Sequence, residues 1–534
     1  MLCKLRLLVF CILVALLAGC TATSPSPSLP TGAPSPLPMS PATRETVGPV
    51  RQPVVAGQFY PASPNELRQM VQALLRQVHQ VQADEPPLAL IVPHAGYVYS
   101  GAVAARAYAQ IVNRPYAAVV VLGTNHTLPS LTEAAIYPRG AFATPLGEVL
   151  VDATLAQEII QAVPDLLADP RLHDQEHSIE VQLPFLQVAC PDTPIVPLIV
   201  GDLSPEKARR LGEALATVLR GRQMLIVATS DLSHYPPYPE ACRVDGQTVK
   251  AIASLDPLQV AQVDRNLLNT ASPSLACTMC GRGAILTALA AARSLGAEEA
   301  NLLLYANSGD QIFGDRKGVV GYAAFGIWPA GVPGKPSTPP MPCQLEEEAT
   351  ARKLTEEEQQ QLLAAARETL EWYLGARMIP LEVSSSAALY QHSGAFVTLK
   401  KAGELRGCIG NVMGQGPLIL TVQRTAIAAA TEDQRFPPVN SQELSELRIE
   451  VSILSPLQEV TSPEAIQVGQ HGVVLVQGEH QAVFLPQVAT EEGWDRETML
   501  NHLAEKAGLP PNGWRQPGTR FYIFTAQVFE ETRP

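Results

Sequence analysis

The sequence predicts an α/β body followed by a separate α+β body, and three patterns carry that prediction. Between residues 49 and 329, short apolar runs alternate with helix-like stretches, the pattern of helices layered on a mostly parallel or mixed sheet. Residues 330–345, AGVPGKPSTPPMPCQL, are rich in proline and almost without apolar residues, which marks a break. Beyond it, helix-like runs, a hairpin-like pair and several strand-like runs follow without that alternation, as in an antiparallel sheet with its own helices. At 534 residues the chain is too long for one core.

The first 20 residues stand outside either body. Lys4 and Arg6 precede LLVFCILVALLA, an apolar run too short to span a bilayer comfortably. It ends in Leu17-Ala18-Gly19-Cys20, which resembles a bacterial lipobox. The resemblance implies a signal peptide over 1–19, cleavage before Cys20, lipid on Cys20, and residence on the extracytoplasmic face of the cell membrane. Residues 20–48 are Ser/Pro-rich and cannot bury a core, so they are expected to be an extended tether. A net charge of −13 and a pI near 5.3 argue against a nucleic-acid partner. Cys190, Cys242, Cys277, Cys280, Cys343 and Cys408 remain after the first 20 residues, too few in so long a chain for a disulfide scaffold.

In the first body, strands are expected at 88–93, 117–123, 195–200, 224–229, 301–306 and 318–327. Helices are expected at 64–80, 101–112, 153–163, 177–189, 205–220 and 282–295. The linker is set at 330–348 and the second body at 349–534. There, EEEQQQLLAAARETLEWYL and LILTVQRTAIAAATEDQRF read as helices, and GAFVTLKKAGELRGCIG as a hairpin turning near Gly403. LRIEVSIL, VVLVQ, QAVFLPQ and FYIFTAQVF read as strands, with a short helix at ETMLNHLAEKAG.

The chemistry-bearing residues gather at strand ends of the first body. Leu88, Leu90, Ile91 and Val92 form an apolar run that Pro93 ends, and His94 follows. AAVVVLGTNH ends at His126, and MLIVATSDLSH at Asp231 and His234. Strand carboxyl ends are where open α/β sheets bind ligands. HDQEHSIE adds His173, Asp174, Glu176, His177 and Glu180, and CTMCGRG adds Cys277, Cys280 and Arg282. Imidazole and thiolate suit Zn, Cu or Fe(II), and two histidines with one anionic ligand leave positions open for water or substrate. Duller readings stand beside this one. The acids of HDQEHSIE suit a helix amino terminus. His173 and His177 at i, i+4 could share a helix face, although the HExxH order is absent. Cys277 and Cys280 could form a redox pair or disulfide.

PVVAGQFYP, PHAGYVYSG, LGTNH, HDQEHSIEVQLPFLQ, TSDLSHY and MCGRGAI together resemble the MEMO family over about residues 51–328. The resemblance implies a fold similar to class III extradiol dioxygenases and a site holding iron or copper through His94, His126 and Cys280. It places His234 as acid/base with Asp231 beside it. The family's cysteine motif usually continues His-Pro, where this chain has Gly283-Ala284. For the three ligands to meet, the strands ending at His94 and His126 are expected side by side, with the segment before Arg282 over their carboxyl ends.

The second body resembles the AMMECR1 family over about residues 352–531, on GAFVTL, LRGCIG, TEDQRFPP, LRIEVSIL, GVVLV and FLPQVA. That family implies no established activity. Arg406, Cys408, Asp433 and Arg435 are polar or reactive within otherwise apolar motifs, and Cys408 would be nucleophilic only if a cation such as Arg406 lowered its pKa. The two resemblances together imply a system that also contains a radical-SAM protein, a partner alongside a small-molecule or peptide ligand. Two functions follow as expectations: a metal-dependent oxidoreductase or dioxygenase-like protein, or a non-enzymatic module whose cleft captures a ligand or peptide.

Overall fold

The computed structural model describes residues 48–78, 82–128, 131–376 and 379–532. The signal peptide, Cys20 and nearly all of the expected tether lie outside the described residues. The chain divides into two compact units: residues up to Ser308 with Arg316–Thr338, and Gly309–Asp315 with Pro339–Pro534. No helix among the described residues is long and apolar enough to cross a membrane.

Among the described residues the first unit has eleven strands: β1 (Val50–Arg51), β2 (Ala89–Val92), β3 (Ala118–Thr124), β4 (Ala134–Ile136), β5 (Ala141–Thr144), β6 (Gly147–Leu150), β7 (Leu167–Ala168), β8 (Ile195–Val200), β9 (Met224–Thr229), β10 (Ala297–Asn307) and β11 (Gly321–Pro329). Eight form one mixed sheet in the order β10-β11-β2-β9-β3-β8-β4-β7. Its centre, β2-β9-β3-β8, is parallel. Every residue of β2, β3 and β8 is buried, which is why they read as continuous apolar runs rather than alternating ones. Helix Tyr97–Tyr108 packs against β2, β10 and β11, and helix Arg282–Ser294 against β3 and β9.

One expectation fails here in an informative way. β2 and β3 are not neighbours, because β9 pairs with both. The strand order reverses at this point, so His94 and His126 flank the end of β9 and its Asp231 instead of facing each other across one ladder.

HDQEHSIE also departs from expectation. Residues Pro170–His173 and Glu180–Gln182 are 3-10 turns, and the α-helix begins only at Leu183. Two helices escaped the sequence reading, Tyr238–Ala253 and Pro257–Thr270. They bury Asp245, Thr248 and Asp264, and polar residues on the inward face break the apolar period that would have revealed them.

The stretch set at 330–348 is not a featureless linker. Pro333 O accepts a hydrogen bond from Asp84 N at 3.4 Å and Lys335 Nζ lies 2.8 Å from Glu299 Oε1. Residues Pro342–Glu348 form a helix that buries Cys343 and Leu345.

The second unit contains β12 (Ala395–Lys401), β13 (Glu404–Asn411), β14 (Leu447–Leu454), β15 (Gln458–Val460), β16 (Gly472–Gln477), β17 (His480–Phe484), β18 (Arg520–Phe524) and β19 (Ala526–Glu530). They make two antiparallel sheets, β13-β12-β14-β19 and β15-β18-β16-β17, where one was expected. FYIFTAQVF is not one strand: it breaks at Thr525, so β18 joins one sheet and β19 the other. The β12–β13 hairpin turns at Ala402 and Gly403 with φ of 50° and 88°, the two positive φ values of a tight hairpin turn.

A buried ion pair fixes the start of the first unit. Arg51 pairs with Glu180, and both are almost fully buried. Glu180 also accepts from Val54 N at 2.9 Å, Val55 N at 3.0 Å and Tyr60 Oη at 2.6 Å. Arg51 Nη2 donates to Glu176 O at 2.6 Å. Removing one partner strands the other charge in the interior. Glu180→Ala and Arg51→Ala are each expected to cost about 3–5 kcal/mol of first-unit stability, with the double variant well below the sum. Urea unfolding of the four chains checks this.

Candidate metal centre

The carboxyl ends of β2, β9 and β3 bring the candidate residues together, and local chemistry explains each placement. Pro93 ends β2, and the His94 N–H donates to Asp231 Oδ1 at 2.8 Å. His94 Nδ1 lies 3.0 Å from Thr229 Oγ1 at the end of β9, which turns Nε2 toward Cys280 Sγ at 3.1 Å. Gly123 on β3 is required by close approach: a Cβ there would stand 2.5 Å from Ile179 and 2.8 Å from Ser178 Oγ. With no side chain in the way, Ser178 zips HDQEHSIE onto β3, accepting from Thr124 N at 2.9 Å and donating to Thr124 O at 3.0 Å.

That contact delivers Glu176 to His126. Glu176 Oε2 accepts from the His126 backbone N–H at 2.6 Å, and Oε1 lies 2.9 Å from His126 Nδ1. A carboxylate on Nδ1 fixes the tautomer and leaves Nε2 available, the usual support for a ligating histidine. Burial pushes the Glu176 carboxyl up, but the charge and hydrogen bonds of His126 outweigh it and hold the group below its ordinary value.

Cys280 arrives over the strand ends, as expected. Gly281 makes this possible, since a Cβ there would lie 2.2 Å from Thr229 O and 2.6 Å from Thr124 Oγ1. Cys280 N donates to Asp231 O at 3.2 Å and Gly281 N to Ser230 Oγ at 2.8 Å. Asp231 N donates to Cys280 Sγ at 3.3 Å.

Two groups among the described residues place their ligand atoms within 4.8 Å of one another: His94 with His126 and His177, and His94 with Asp231 and Cys280. The mixture of imidazole, thiol and carboxylate fits a borderline or soft ion such as iron, copper or zinc. Burial, then the neighbouring imidazoles, pushes His94 well below its ordinary pKa. Burial likewise pushes His177 down to about 4, against the pull of Glu176. Both rings are therefore neutral at pH 7, the state that ligates.

Asp231 lies against the candidate ligands. Its Oδ1 is committed to the backbone of His94 and of Ala95, and its Oδ2 lies 3.9 Å from His94 Nε2. It sits with His94 and Cys280 in one of the candidate ligand groups. Burial pushes its carboxyl up to about 6, against the His94 N–H and the charge of His126.

His234 is buried, with Nδ1 2.9 Å from Leu232 O. The carbonyl makes Nδ1 the donor, so Nε2 keeps a lone pair. Cys277 Sγ is 3.4 Å from the same Nδ1. Cys277 and Cys280 are not joined as a disulfide, and each lies beside a different histidine. Behind His234, Asp245 accepts from Ser233 N at 3.0 Å, Ser233 Oγ at 2.9 Å and Tyr305 Oη at 2.8 Å. Tyr235 holds φ at +69°, a conformation that is strained for a bulky residue and clusters at functional sites.

Sequence reasoning noted Glu176 and His177 without giving them a role, and missed Asp245. His173 and His177 do not share a face. His177 reaches the centre, whereas His173 is buried against Tyr137 and Phe142. Arg282 is spent on Asp202 at 2.6 Å and Asp264 at 3.6 Å.

In the second unit the four candidates do lie near one another, but not as an activated nucleophile. Arg435 grips Asp433 through Nε at 2.9 Å and Nη2 at 2.7 Å, and Asp433 Oδ2 accepts from Cys408 N at 2.8 Å. Arg406 is engaged by Glu443 at 2.8 Å and 3.1 Å, not by Cys408. Burial pushes the Cys408 thiol up, against a hydrogen bond from Thr398 and the charge of Arg435, so the condition for a nucleophilic thiolate is not met.

Comparison with known proteins accords with this division. The family described as Memo-like protein matches residues 51–326, and AMMECR1 matches residues 363–529. A MEMO1 family protein of Desulfurococcus amylolyticus is 37% identical over 288 residues, 51% of this chain and 97% of the relative. One from Methanosarcina mazei is 38% identical over 282 residues, 52% of this chain and 98% of the relative. An uncharacterized protein, PH0010, from Pyrococcus horikoshii has a crystal structure 36% identical to this chain, covering 34% of it and 96% of that protein at a TM-score of 0.33.

His173 yields a pH prediction. Burial, then the charge of Arg51, pushes its pKa down to about 3. Its contribution is complete above the unfolded value of about 6.5 and is lost as pH falls toward the folded value. His173→Phe is therefore expected to flatten the fall of first-unit stability with acid by up to about one proton. Urea unfolding of both chains at a series of pH values between these limits reads the slope.

Proposed function

The chain belongs to the Memo-like family and carries an AMMECR1 domain, and from that premise we propose that its first unit is a metal-dependent redox or dioxygenase-like protein. The observation that supports this reading is the gathering of two further imidazoles, a thiol and a carboxylate around the buried His94. His94, His126 and Cys280 are the residues assigned to iron or copper. Such an ion supplies Lewis-acid or one-electron chemistry when bound.

The remaining roles belong to the chain's own groups. Thr229 and Glu176 hold the two imidazoles by Nδ1. Asp231 fixes the backbone of His94. His234 offers Nε2 to take or return a proton, held in that tautomer by Leu232 O. Phe59 packs edge-on against His177 with ring centroids 4.9 Å apart, and Tyr99 is 51% exposed three residues after Gly96, so a small molecule or short peptide entering here meets aromatic surface. A radical-SAM protein is a proposed partner through the association of these two families. The proposed location, the extracytoplasmic membrane face through lipid on Cys20, rests on residues 1–20 alone.

Two measurements test these readings. Chain purified anaerobically with reductant is expected to hold iron or copper, and Glu176→Gln to weaken that binding about 10–100-fold through the loss of His126 support. Wild-type chain that takes up neither ion would refute the metal-dependent reading and leave ligand capture in its place. For the location, Cys20→Ala is expected to abolish lipid labelling and membrane fractionation. Wild-type chain found soluble and unlabelled in the cytoplasm would overturn it.

A further inference from the structure

Asp245 has no part in the function proposed above, yet it is fully buried and heavily bonded. It stands on the inward face of helix Tyr238–Ala253. Oδ1 accepts from Ser233 N at 3.0 Å, and Oδ2 accepts from Ser233 Oγ at 2.9 Å and from Tyr305 Oη at 2.8 Å. Tyr305 Oη in turn accepts from Asn307 Nδ2 at 3.4 Å. Room for the carboxyl is made at the start of β11, where a Cβ on Gly321 would stand 2.1 Å from Oδ2. Burying a carboxyl is costly unless its oxygens are hydrogen-bonded, and here both are.

These bonds hold one peptide unit. Three successive units lead from Asp231 to His234. In the first, Leu232 N donates to Gly321 O at 2.7 Å. In the third, Ser233 O accepts from Gly321 N at 2.9 Å and His234 N donates to Cys277 O at 3.1 Å. Backbone partners fix both. The middle unit has a side chain at each end instead: Ser233 N–H donates to Asp245, and Leu232 O lies 2.9 Å from His234 Nδ1. A trans peptide is planar, so its N–H and C=O point in opposite directions. A carboxyl that holds the N–H on one side therefore aims the carbonyl at the imidazole on the other. A carbonyl only accepts, so it keeps the ring proton on Nδ1, and an N–H that donates makes the carbonyl of its own unit a better acceptor. Cys277 Sγ, 3.4 Å from the same nitrogen, is the weaker acceptor. Burial pushes the Asp245 carboxyl up to about 7, against the hydrogen bonds of Tyr305 and Ser233, but a proton on Oδ2 leaves Oδ1 accepting from Ser233 N.

We propose that Asp245 is a positioning residue for His234, setting the tautomer of the imidazole through the Leu232–Ser233 peptide. The proposal rests on the reading of His234 as the group that handles a proton at Nε2, and it names the residue that keeps Nε2 in that state. It also narrows the ligand. With the proton held on Nδ1, Nε2 of the neutral ring accepts and does not donate. The ligand group that faces it is therefore a donor, such as a hydroxyl, and not a bare carbonyl or carboxylate.

Solid-state NMR of the whole chain, isotope-labelled at the histidine nitrogens, reads the tautomer, with the His234 signals identified by their absence from His234→Gln. At mildly alkaline pH, where the ring is neutral, the wild type is expected to carry its proton on Nδ1. Asp245→Leu removes the acceptor and should move the ratio of the two tautomers toward the Nε2-protonated form by about two- to tenfold. Asp245→Asn, whose oxygen still accepts from Ser233 N, should keep the wild-type ratio. A packing role for Asp245 would lower stability in both variants without moving the ratio. An unchanged ratio in a folded Asp245→Leu chain overturns the proposal, as does an Asp245→Asn chain that shifts as far as Asp245→Leu. Should Asp245→Leu fail to fold, Asp245→Ala is read by the same criteria. A wild type with its proton on Nε2 refutes the reading of His234 itself, a result distinct from a ratio that Asp245 does not govern.

Discussion

The carboxylate of Glu176 is buried, and burying a charge is expensive unless hydrogen bonds and countercharge replace the lost water. This one is satisfied by the backbone and ring of His126 and by Ser178 N at 2.9 Å. The requirement runs backward through the fold. Glu176 reaches its place only because Ser178 is zipped to Thr124, and Ser178 fits there only because position 123 has no side chain. Glu180 then takes Arg51 and Tyr60 from the start of the unit. The eight residues HDQEHSIE thus join the amino-terminal segment, the end of β3 and the metal centre through bonds that must all be made together.

Much of this was legible in the sequence because the informative residues sit where chain direction changes. His94, His126, Asp231 and Cys280 each follow an apolar run or lie in a short motif, and the structure sets all four at the same end of the sheet. The adjacency of β2 and β3 was misread, because nothing in a linear pattern says that a strand starting at Met224 inserts between two that precede it. His177, read only as a helix-face companion of His173, escaped for a different reason. Its segment folds as turns held by side chains, so neither the helix nor the strand period applies to it. Helix Tyr238–Ala253 hid because its inward face carries Asp245 and Thr248 among apolar residues.

The two units show how context decides what a cysteine does. Cys280 stands 3.1 Å from His94 Nε2 and receives an N–H from Asp231, in contact with the candidate ligands. Cys408 sits within β13, with Thr398 Oγ1 at 3.3 Å, and the nearby Arg435 is already neutralised by Asp433. A motif can therefore place polar and sulfur groups together while its guanidinium is spent holding the backbone in shape. The Asp433–Arg435 pair, with Asp433 on Cys408 N and Arg435 Nη2 3.3 Å from Cys408 O, fits that duty.

The interleaving of β9 also dictates an order of assembly. During synthesis β2 and β3 emerge first, each with an edge that only a strand about 100 residues further on can cover. Until then both present unpaired backbone groups, and His94 and His126 have no fixed separation. A fragment ending before residue 224 carries two of the imidazole-bearing strands but no floor between them. A site that needs both imidazoles at a fixed separation therefore exists only after closure of the sheet, as a property of the finished domain and not a nucleus around which it folds.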